Sequence, residues 1–594
     1  MNELTKSDFI LGLECPFKLR YRKLRYPDKS RNDPMREFLA RGGFMIEALA
    51  HAVLSVDDNV EFEKTLTAGR LSARIDAFLD DGSNAKLIEV KSTTVTSDDP
   101  SQFLTKDGSV KADYARYIND IAFQMLVARS ALPRRSLSAH LCCVNKTKTS
   151  TVASIFDRIE LVERERGSGL DTPRAIYQGD PETLRSSHFL EVIDVTAIVN
   201  SRLPSIEEEA TWLLDFLDGK HPEARPHRSV QPCKACEYRG SGLSPSGFTE
   251  CWGVDGSEPM AIDLHYLGGT TSLIDQVDAL RDGGKVLLRD LDVNIEQAGG
   301  VRAQARRRQI EAAQTDREIF VPSEAGALSE CVFPLFFLDI ETSAIPVPYS
   351  PGSRPYEQTV FQLSCHAIKT PDAVSLEHHE WLNLSAPYPN REFVHELRSL
   401  IGDHGSILTW SPYERTALRE VRRQLEERGD MDDELADWVD AVAGLRGDGS
   451  SLGRIVDLSV VSRAAYAHPA MNGSHSVKKV LDGVWSSASH LWSHPWFAKY
   501  YLPGPDGSAI DPYEVLTING ATSGIELDSA ADENVAVTNG VAAMEAYQEL
   551  MFGPRRGDDA YAAKLRRALL AYCELDTAAM VMIWMHWHHL MSES

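Results

Sequence analysis

The stretch Leu71-Ser-Ala-Arg-Ile-Asp76-Ala-Phe-Leu79, then Asp80-Asp81-Gly82, then Lys86-Leu-Ile-Glu89-Val-Lys91-Ser92 reads as strand, turn, strand. Asp-Gly between two apolar runs is a strong hairpin signal, because glycine accepts the positive φ of a tight turn. Side chains alternate along a strand, so Glu89 and Lys91, two apart, project from one face. Asp76 lies on the partner strand, within cross-strand reach. Two carboxylates beside a lysine suit phosphodiester hydrolysis. The acids hold a hard divalent cation through oxygen, and the lysine positions the attacking water or stabilises developing charge. A solvated strand pair is the plain alternative for the same residues.

A second apolar strand, Val332-Phe-Pro-Leu-Phe-Phe-Leu-Asp339-Ile-Glu341-Thr342, closes on two acids at i and i+2, again on one face. In Leu408-Thr-Trp-Ser411-Pro412-Tyr413-Glu414, Ser411 suits a helix cap and Pro412 its first position, which places Glu414 at a helix start. Ile455-Val-Asp457-Leu reads as another core strand, and Asp457 at its end is the alternative to Glu414 as a third acid. The last helix carries Tyr572-Cys-Glu-Leu-Asp576, with Tyr572 and Asp576 four apart on one face. Gly473-Ser-His475-Ser-Val-Lys478-Lys479 is a turn running into a basic helix start, able to grip a phosphate or to lie on the surface.

Cys233-Lys-Ala-Cys236 followed by Cys251 is a Cys-x2-Cys-x14-Cys pattern. Two thiolates on one tight turn can chelate a single metal centre. A fourth ligand is missing locally. Cys15 is the distant candidate, and in a zinc site His221 or His227 could replace it; buried thiols without a ligand are the remaining reading. Cys142, Cys143, Cys331, Cys365 and Cys573 have no ligand spacing and read as core. Nine cysteines, unevenly spaced in a long chain, argue against a disulfide framework.

At 594 residues the chain exceeds one ordinary core, so two or three domains are expected. The patterning divides it into an α/β segment over 1–255 that ends in the cysteine patch, a charged helical connector over 256–330, and a second α/β segment over 331–594. Tyr349–Gln358 and Gly504–Asn534, rich in Pro, Gly, Ser and Asp, read as insertions. An apolar fraction of 43% with 25% charged residues is that of a globular protein. No signal peptide and no transmembrane run is read, which leaves the cytoplasm and no membrane as the expectation. The net charge of −25 opposes non-specific binding to phosphates, so a nucleic-acid enzyme here needs a local basic channel. Lys18, Arg20, Arg22, Lys23 and Arg25 form one basic strip and Arg302, Arg306, Arg307 and Arg308 another; each is a solvated helix face or a nucleic-acid contact. No Gly-x4-Gly-Lys-Ser/Thr loop is present, so no ATP-driven unwinding is expected.

The hairpin set resembles the PD-(D/E)xK nuclease superfamily in its RecB-like branch, which implies a restriction-endonuclease-like α/β core. Asp76, Glu89 and Lys91 match its catalytic motif. Gly43-Phe-Met-Ile-Glu47 has the helical spacing at which that branch places a further metal ligand, so Glu47 is the match and His51, one turn later, the fallback. Gln124, on the predicted helix Tyr117–Ala128, matches the branch's glutamine helix. One cysteine before this core and three after it is similar to the iron–sulfur nucleases of the CRISPR-adaptation and AddB types. That resemblance implies a [4Fe-4S] cluster stapling the domain ends through Cys15, Cys233, Cys236 and Cys251. The wide gap between Cys236 and Cys251 departs from that family, and zinc stays open as the alternative.

Asp339-x-Glu341-Thr, Glu414 and Tyr572-x3-Asp576, in that order, resemble the DnaQ-like exonucleases of the RNase H fold, in the tyrosine subtype of the DEDD family. The histidine subtype would need a histidine where Ala571 stands. The resemblance implies that Asp339, Glu341, Glu414 and Asp576 hold divalent ions and that Tyr572 orients the attacking water. Glu414 stands where aspartate is usual. Most of the chain, the connector excepted, resembles a bacterial group that fuses the two nuclease types. It implies two Mg²⁺- or Mn²⁺-dependent sites acting on DNA, the second as a 3′–5′ exonuclease, in DNA processing, repair or antiviral defence. A helicase or a defence-system component is the partner so implied. An RNA-processing exonuclease, or a nucleic-acid-binding scaffold with one degenerate head, remains open.

Overall fold

Each half of the chain folds around its own mixed sheet. The computed structural model describes residues 2–29, 34–56, 59–152, 155–162, 174–222, 224, 230–267, 271–296, 299–385, 388–445, 453–505, 507–522, 537–553 and 555–593. The chain divides into two compact units, Met1–Ser257 with Ala344–Glu357, and Glu258–Ser343 with Gln358–Ser594.

The strands of the first unit are β1 (Leu4–Thr5), β2 (Val60–Ala68), β3 (Leu71–Asp80), β4 (Asn84–Val95), β5 (Ser136–Asn145), β6 (Ile159–Val162), β7 (Arg174–Tyr177) and β8 (Leu190–Asp194). β6 and β7 pair with each other; the other six form one sheet with the path β1-β3-β4-β5-β8 and β2 alongside β3. The predicted hairpin is β3–β4. Asp81 Oδ1 closes its turn by accepting from the Ser83 and Asn84 amides at 2.9 and 2.7 Å. The two strands pair only from Ala77↔Ile88 to Asp80↔Ala85. At the other end of β3, the short β1 pairs in parallel with Leu71 and Ser72.

Alternation then sorts the faces. Phe78 and its partner Leu87 join Phe9, Phe123 and Leu213 in a core under the helices Lys6–Glu14, Ala112–Ala131 and Thr196–Leu217. Ala77 and its partner Ile88 face the helix Pro34–Leu54 through Ile46, Leu49 and Ala50. The segment Ala344–Glu357, whose later part lies in the expected insertion Tyr349–Gln358, contributes buried Val347 to this second core, and the Tyr356 hydroxyl donates to the Ser92 carbonyl.

In the second unit β9 (Ile319–Phe320) pairs with β15 (Tyr466–Ala467). β10 (Leu335–Ser343), β11 (Thr359–Ile368), β12 (Glu377–Leu382), β13 (Ser406–Thr409) and β14 (Ile455–Asp457) form a sheet ordered β12-β11-β10-β13-β14. β10 is central, antiparallel to β11 and parallel to β13. Phe336, Leu338 and Ile340 pack on the helices Asn390–Ile401, Tyr413–Arg428 and Asp433–Ala443. Leu335 and Phe337 face the other way, onto Leu575, Ile583 and Trp587 of the C-terminal helix Asp559–Glu593. That helix has the length and hydropathy of a membrane span, although no unbroken apolar run announces it. Of its qualifying window 67% is buried within the unit, as in a core helix.

The segment expected to be a separate connector belongs to this second unit from Glu258 onward. Its helix Val301–Thr315 buries Ala303, Ala305, Ile310 and Ala312. Its arginines are spent on structure: Arg306 pairs with Glu296 at 2.6 Å, and Arg308 donates to the Arg463 carbonyl at 2.9 Å. In the first basic strip, Lys18 is buried between Glu14 and Glu237, and Lys23 pairs with Asp8 at 2.7 Å. Lys18, Arg306 and Arg308 are thereby buried rather than on a solvated face, and Lys23 is half-buried against Asp8.

Phe123 is fully buried and stacks on Phe9 with ring centroids 4.7 Å apart. Phe123→Ala is expected to destabilise the first unit by about 3–5 kcal/mol in chemical denaturation, and a loss below about 1 kcal/mol would contradict this core assignment.

Candidate functional site

Beyond Ala77 the pairing of β3 with β4 ends, and Lys6, the residue after β1, comes in where the two strands part. Its ammonium donates to both oxygens of Glu89, at 2.9 and 3.0 Å, and lies 3.8 Å from Asp76 and 3.7 Å from Asp120. Lys91 pairs with Glu89 and, at 2.9 Å, with Asp120. Gln124 donates to Glu89 at 2.6 Å, and the Val90 amide donates to Asp76 at 2.8 Å. The structure therefore brings Asp76, Glu89, Lys91 and Gln124 together, as the sequence predicts, and adds Lys6 and Asp120. Burial pushes Glu89 upward, but the Lys91 and Lys6 charges outweigh it and hold this carboxylate well below its usual range. Asp76 goes the other way, raised by burial and then by the Glu89 charge. Burial opposes charge on Lys6, yet Glu89, Asp120 and Asp76 lift it to about 12.

Glu47 is not gathered with them. Its helix packs on the opposite face of the sheet, against Ile88 and Val90, and its carboxylate lies 3.8 Å from His51 one turn on. The ring of the fallback His51 lies tilted against Phe62, centroids 4.1 Å apart. Asp120 was legible in principle, being four residues before Gln124 on the same helix face. Lys6 carries no local signal.

Cys15, Cys233, Cys236 and Cys251 line one small apolar cavity with Phe17, Tyr21, Gly247, Phe248 and Trp252. The Tyr21 hydroxyl lies 3.2 Å from Cys251 Sγ, and a Cβ on Gly247 would fall 2.4 Å from the Tyr21 ring. Burial pushes the Cys236 and Cys251 thiols up to about 12, so a bound positive centre is what would draw out the thiolates. Among the described residues, no three of these sulfurs come within 4.8 Å of one another. His221 stacks on Trp212 at 4.9 Å and is not part of the cavity lining; His227 lies outside the described residues.

In the second unit Asp339 and Glu341 of β10 meet Asp576 of the C-terminal helix, one carboxylate oxygen from each lying within 4.8 Å of the others. Alternation along β10 turns both acids to the face this helix crosses. Cys573 donates to Asp339 at 3.2 Å, and the Tyr513 hydroxyl donates to Asp576 at 2.5 Å. Lys478 stands over two rings, 4.9 Å from the centroid of Tyr513 and 4.8 Å from that of Tyr572. Tyr513 was missed because it falls in Gly504–Asn534, read as an insertion. In the structure it begins a helix, Pro512–Thr522.

Glu414 is buried at the start of the helix Tyr413–Arg428, and among the described residues its Oε2 has no hydrogen-bond partner. It lies outside the 4.8 Å trio, but its charge acts on Glu341, and burial followed by the Asp339 charge drives its own carboxyl well above the usual range. Asp457 instead caps the helix Leu458–Ala465, accepting from the Ser459 amide and hydroxyl at 2.8 and 2.6 Å. Burial and then the Asp576 charge raise Asp339 to about 7, and burial with Asp339 and Asp576 raises Glu341 further. Lys478 is the cation that pulls all three acids back down. Such a set is stable when it is protonated or when it holds a cation.

A family model described as a domain of unknown function, DUF2779, matches residues 336–476. That stretch contains Asp339, Glu341, Glu414 and Asp457 and ends before Lys478, Tyr513, Tyr572 and Asp576. No curated protein and no solved structure matches the chain.

The raised Asp339 carboxyl makes a signed prediction for protein kept in a chelator. Between its ordinary 3.8 and about 7 the unfolded chain releases this proton before the folded one does, so stability falls as pH rises through that window. Asp339→Asn removes the loss. In thermal melts at several pH values, the variant should match the wild type near pH 4 and melt higher at pH 7.5. Equal melting at both pH values would refute the assignment.

Proposed function

We propose that this chain is a metal-dependent nuclease with two phosphodiester-hydrolysing sites, acting on single-stranded or end-bearing DNA in processing, repair or defence. On this reading the first unit is a RecB-like PD-(D/E)xK domain, and the second is a DnaQ-like domain of RNase H type. The observation that carries it is the meeting of Asp339 and Glu341, from one strand, with Asp576, from a helix far along the sequence, beside the buried Tyr572. A central acid-bearing strand in a five-stranded mixed sheet supports the second-unit assignment.

Hard divalent cations take oxygen ligands, and Mg²⁺ or Mn²⁺ held by such acids supplies an activated water and stabilises the leaving oxygen. Asp339, Glu341 and Asp576 would hold the ions, with Glu414 supplying a further oxygen. Burial, reinforced by the Asp576 charge, keeps Tyr572 protonated, so its hydroxyl can hold the attacking water. Lys478, above that ring, offers positive charge to the incoming phosphodiester. In the first unit Asp76 and Glu89 would hold the cation, while Lys91 orients water.

Four cysteines around one cavity support a resident metal centre. The order of the cysteines, one before the first unit's nuclease-like core and three after it, is the support for a [4Fe-4S] cluster over zinc.

One observation favours a second reading for the first unit alone. Lys6 and Lys91 already neutralise Glu89 there, so a cation must displace an ammonium, and an inert head that only binds nucleic acid follows if it does not.

Asp76→Ala and Asp339→Ala, assayed separately with Mn²⁺ on single-stranded, duplex and end-blocked DNA and on RNA of equal sequence, test the two sites. Each variant should lose one cleavage activity to background; if neither loses any, the two-site reading fails. Anaerobically purified protein should be brown, and Cys251→Ser should lose both colour and iron. A colourless wild type that carries zinc would replace the cluster by a zinc site.

A further inference from the structure

A second group of donors lies on the same sheet face as the acids and plays no part in the proposed hydrolysis. His366 of β11 and His378 of β12 are direct cross-strand partners, their rings stacked with centroids 4.5 Å apart. Glu574 reaches them from the C-terminal helix. Each of the three brings one ligand atom within 4.8 Å of the others. Ser364, the β10–β11 partner of Asp339, is two residues from His366, so this group sits about 7 Å along the strand from the acids.

The hydrogen bonds around the rings decide where their protons lie. With Thr577 Oγ1 donating to the Glu574 carbonyl at 3.0 Å or to the Cys573 carbonyl at 3.3 Å, both of which can only accept, one proton placement satisfies every partner. The same oxygen lies 2.8 Å from His366 Nδ1 and 2.9 Å from Ser364 Oγ, and from both it must accept. Ser364, having given its proton to Thr577, accepts from His378 Nε2 at 3.0 Å. Protons therefore sit on His366 Nδ1 and His378 Nε2, and the lone pairs remain on His366 Nε2 and His378 Nδ1. Burial keeps both rings neutral, His366 down to about 3. Lys499 pairs with Glu574 through Oε1, which does not exhaust a carboxylate with two oxygens.

We propose that His366, His378 and Glu574 bind a divalent transition-metal ion of the zinc type, which ties the C-terminal helix to the β11–β12 edge of the sheet. Two imidazoles and one carboxylate suit zinc and its neighbours, whereas Mg²⁺ prefers the all-oxygen set at Asp339. The second-layer contacts are those a metal-bound histidine requires, its other nitrogen donating to a fixed acceptor. The site stands whether or not the acids nearby cleave phosphodiesters.

The test uses the full chain, stripped with a chelator and titrated calorimetrically with Zn²⁺ in excess Mg²⁺. The cysteines are present in every protein compared, so differences isolate this site. His378→Gln keeps a donor for Ser364, and Glu574→Gln keeps the side-chain shape; each should bind one equivalent of Zn²⁺ fewer than the wild type, with an unchanged far-ultraviolet circular dichroism spectrum. Thr577→Val should keep the stoichiometry and bind about 10–100-fold more weakly, because His366 Nδ1 loses its acceptor. Asp339→Ala should keep the full number of equivalents. If folded Glu574→Gln and His378→Gln both bind as many equivalents as the wild type, the site does not exist.

Discussion

A carboxylate taken out of water has to be met by positive charge, by a proton or by donated hydrogen bonds, and this demand organises both sheets of the chain. The first unit meets it from within. Lys6 and Lys91 converge on Glu89, a fully buried acid at the centre of the sheet, and Gln124 adds a hydrogen bond. The second unit leaves the demand largely open. Asp339, Glu341, Asp576 and Glu414 share one buried region with Lys478 as the nearby cation, so protons or bound ions must complete it. The two sites thus present opposite electrostatic states, one closed by the protein's own ammonium groups and one held in wait.

This contrast bears on the overall charge. At −25 the chain repels phosphates at long range, and several residues of the two basic strips are committed to internal partners. Positive charge therefore acts where single lysines stand over acids. In the second unit Lys478 does so from a helix start, above two aromatic rings.

What was readable in the sequence follows from how side chains repeat along one element. Period two put Glu89 with Lys91 and Asp339 with Glu341 on common faces, and a spacing of four did the same for Tyr572 and Asp576. The Asp-Gly turn placed Asp76 opposite Glu89 for the same local reason. Contributions from distant elements were not readable. Lys6 enters only because β3 and β4 part and β1 takes the vacated edge. Tyr513 lies in a stretch whose Pro and Gly content reads as a loop. Glu47 had the right helical spacing, but spacing along a helix does not say which face of a sheet the helix will cover. The segment 256–330 looked like a connector because it is helical and charged, whereas its Arg306 and Arg308 are turned to backbone carbonyls and Glu296. Residue type alone left Glu414 and Asp457 as equal candidates for the third acid; the capping bonds of Asp457 to Ser459 set it apart.

The stretch between β10 and β11 adds a constraint of a different kind. Ala344–Glu357 belongs to the first unit, although both strands that flank it belong to the second, so the polypeptide passes from one unit to the other at 257/258, 343/344 and 357/358. A first unit ending at Ser257 would lack Val347 from its core and the tyrosine that binds Ser92. Joining two ready-made genes end to end does not produce such an interleaved order. A single cut at 257/258 would therefore leave the first unit without residues that its core uses.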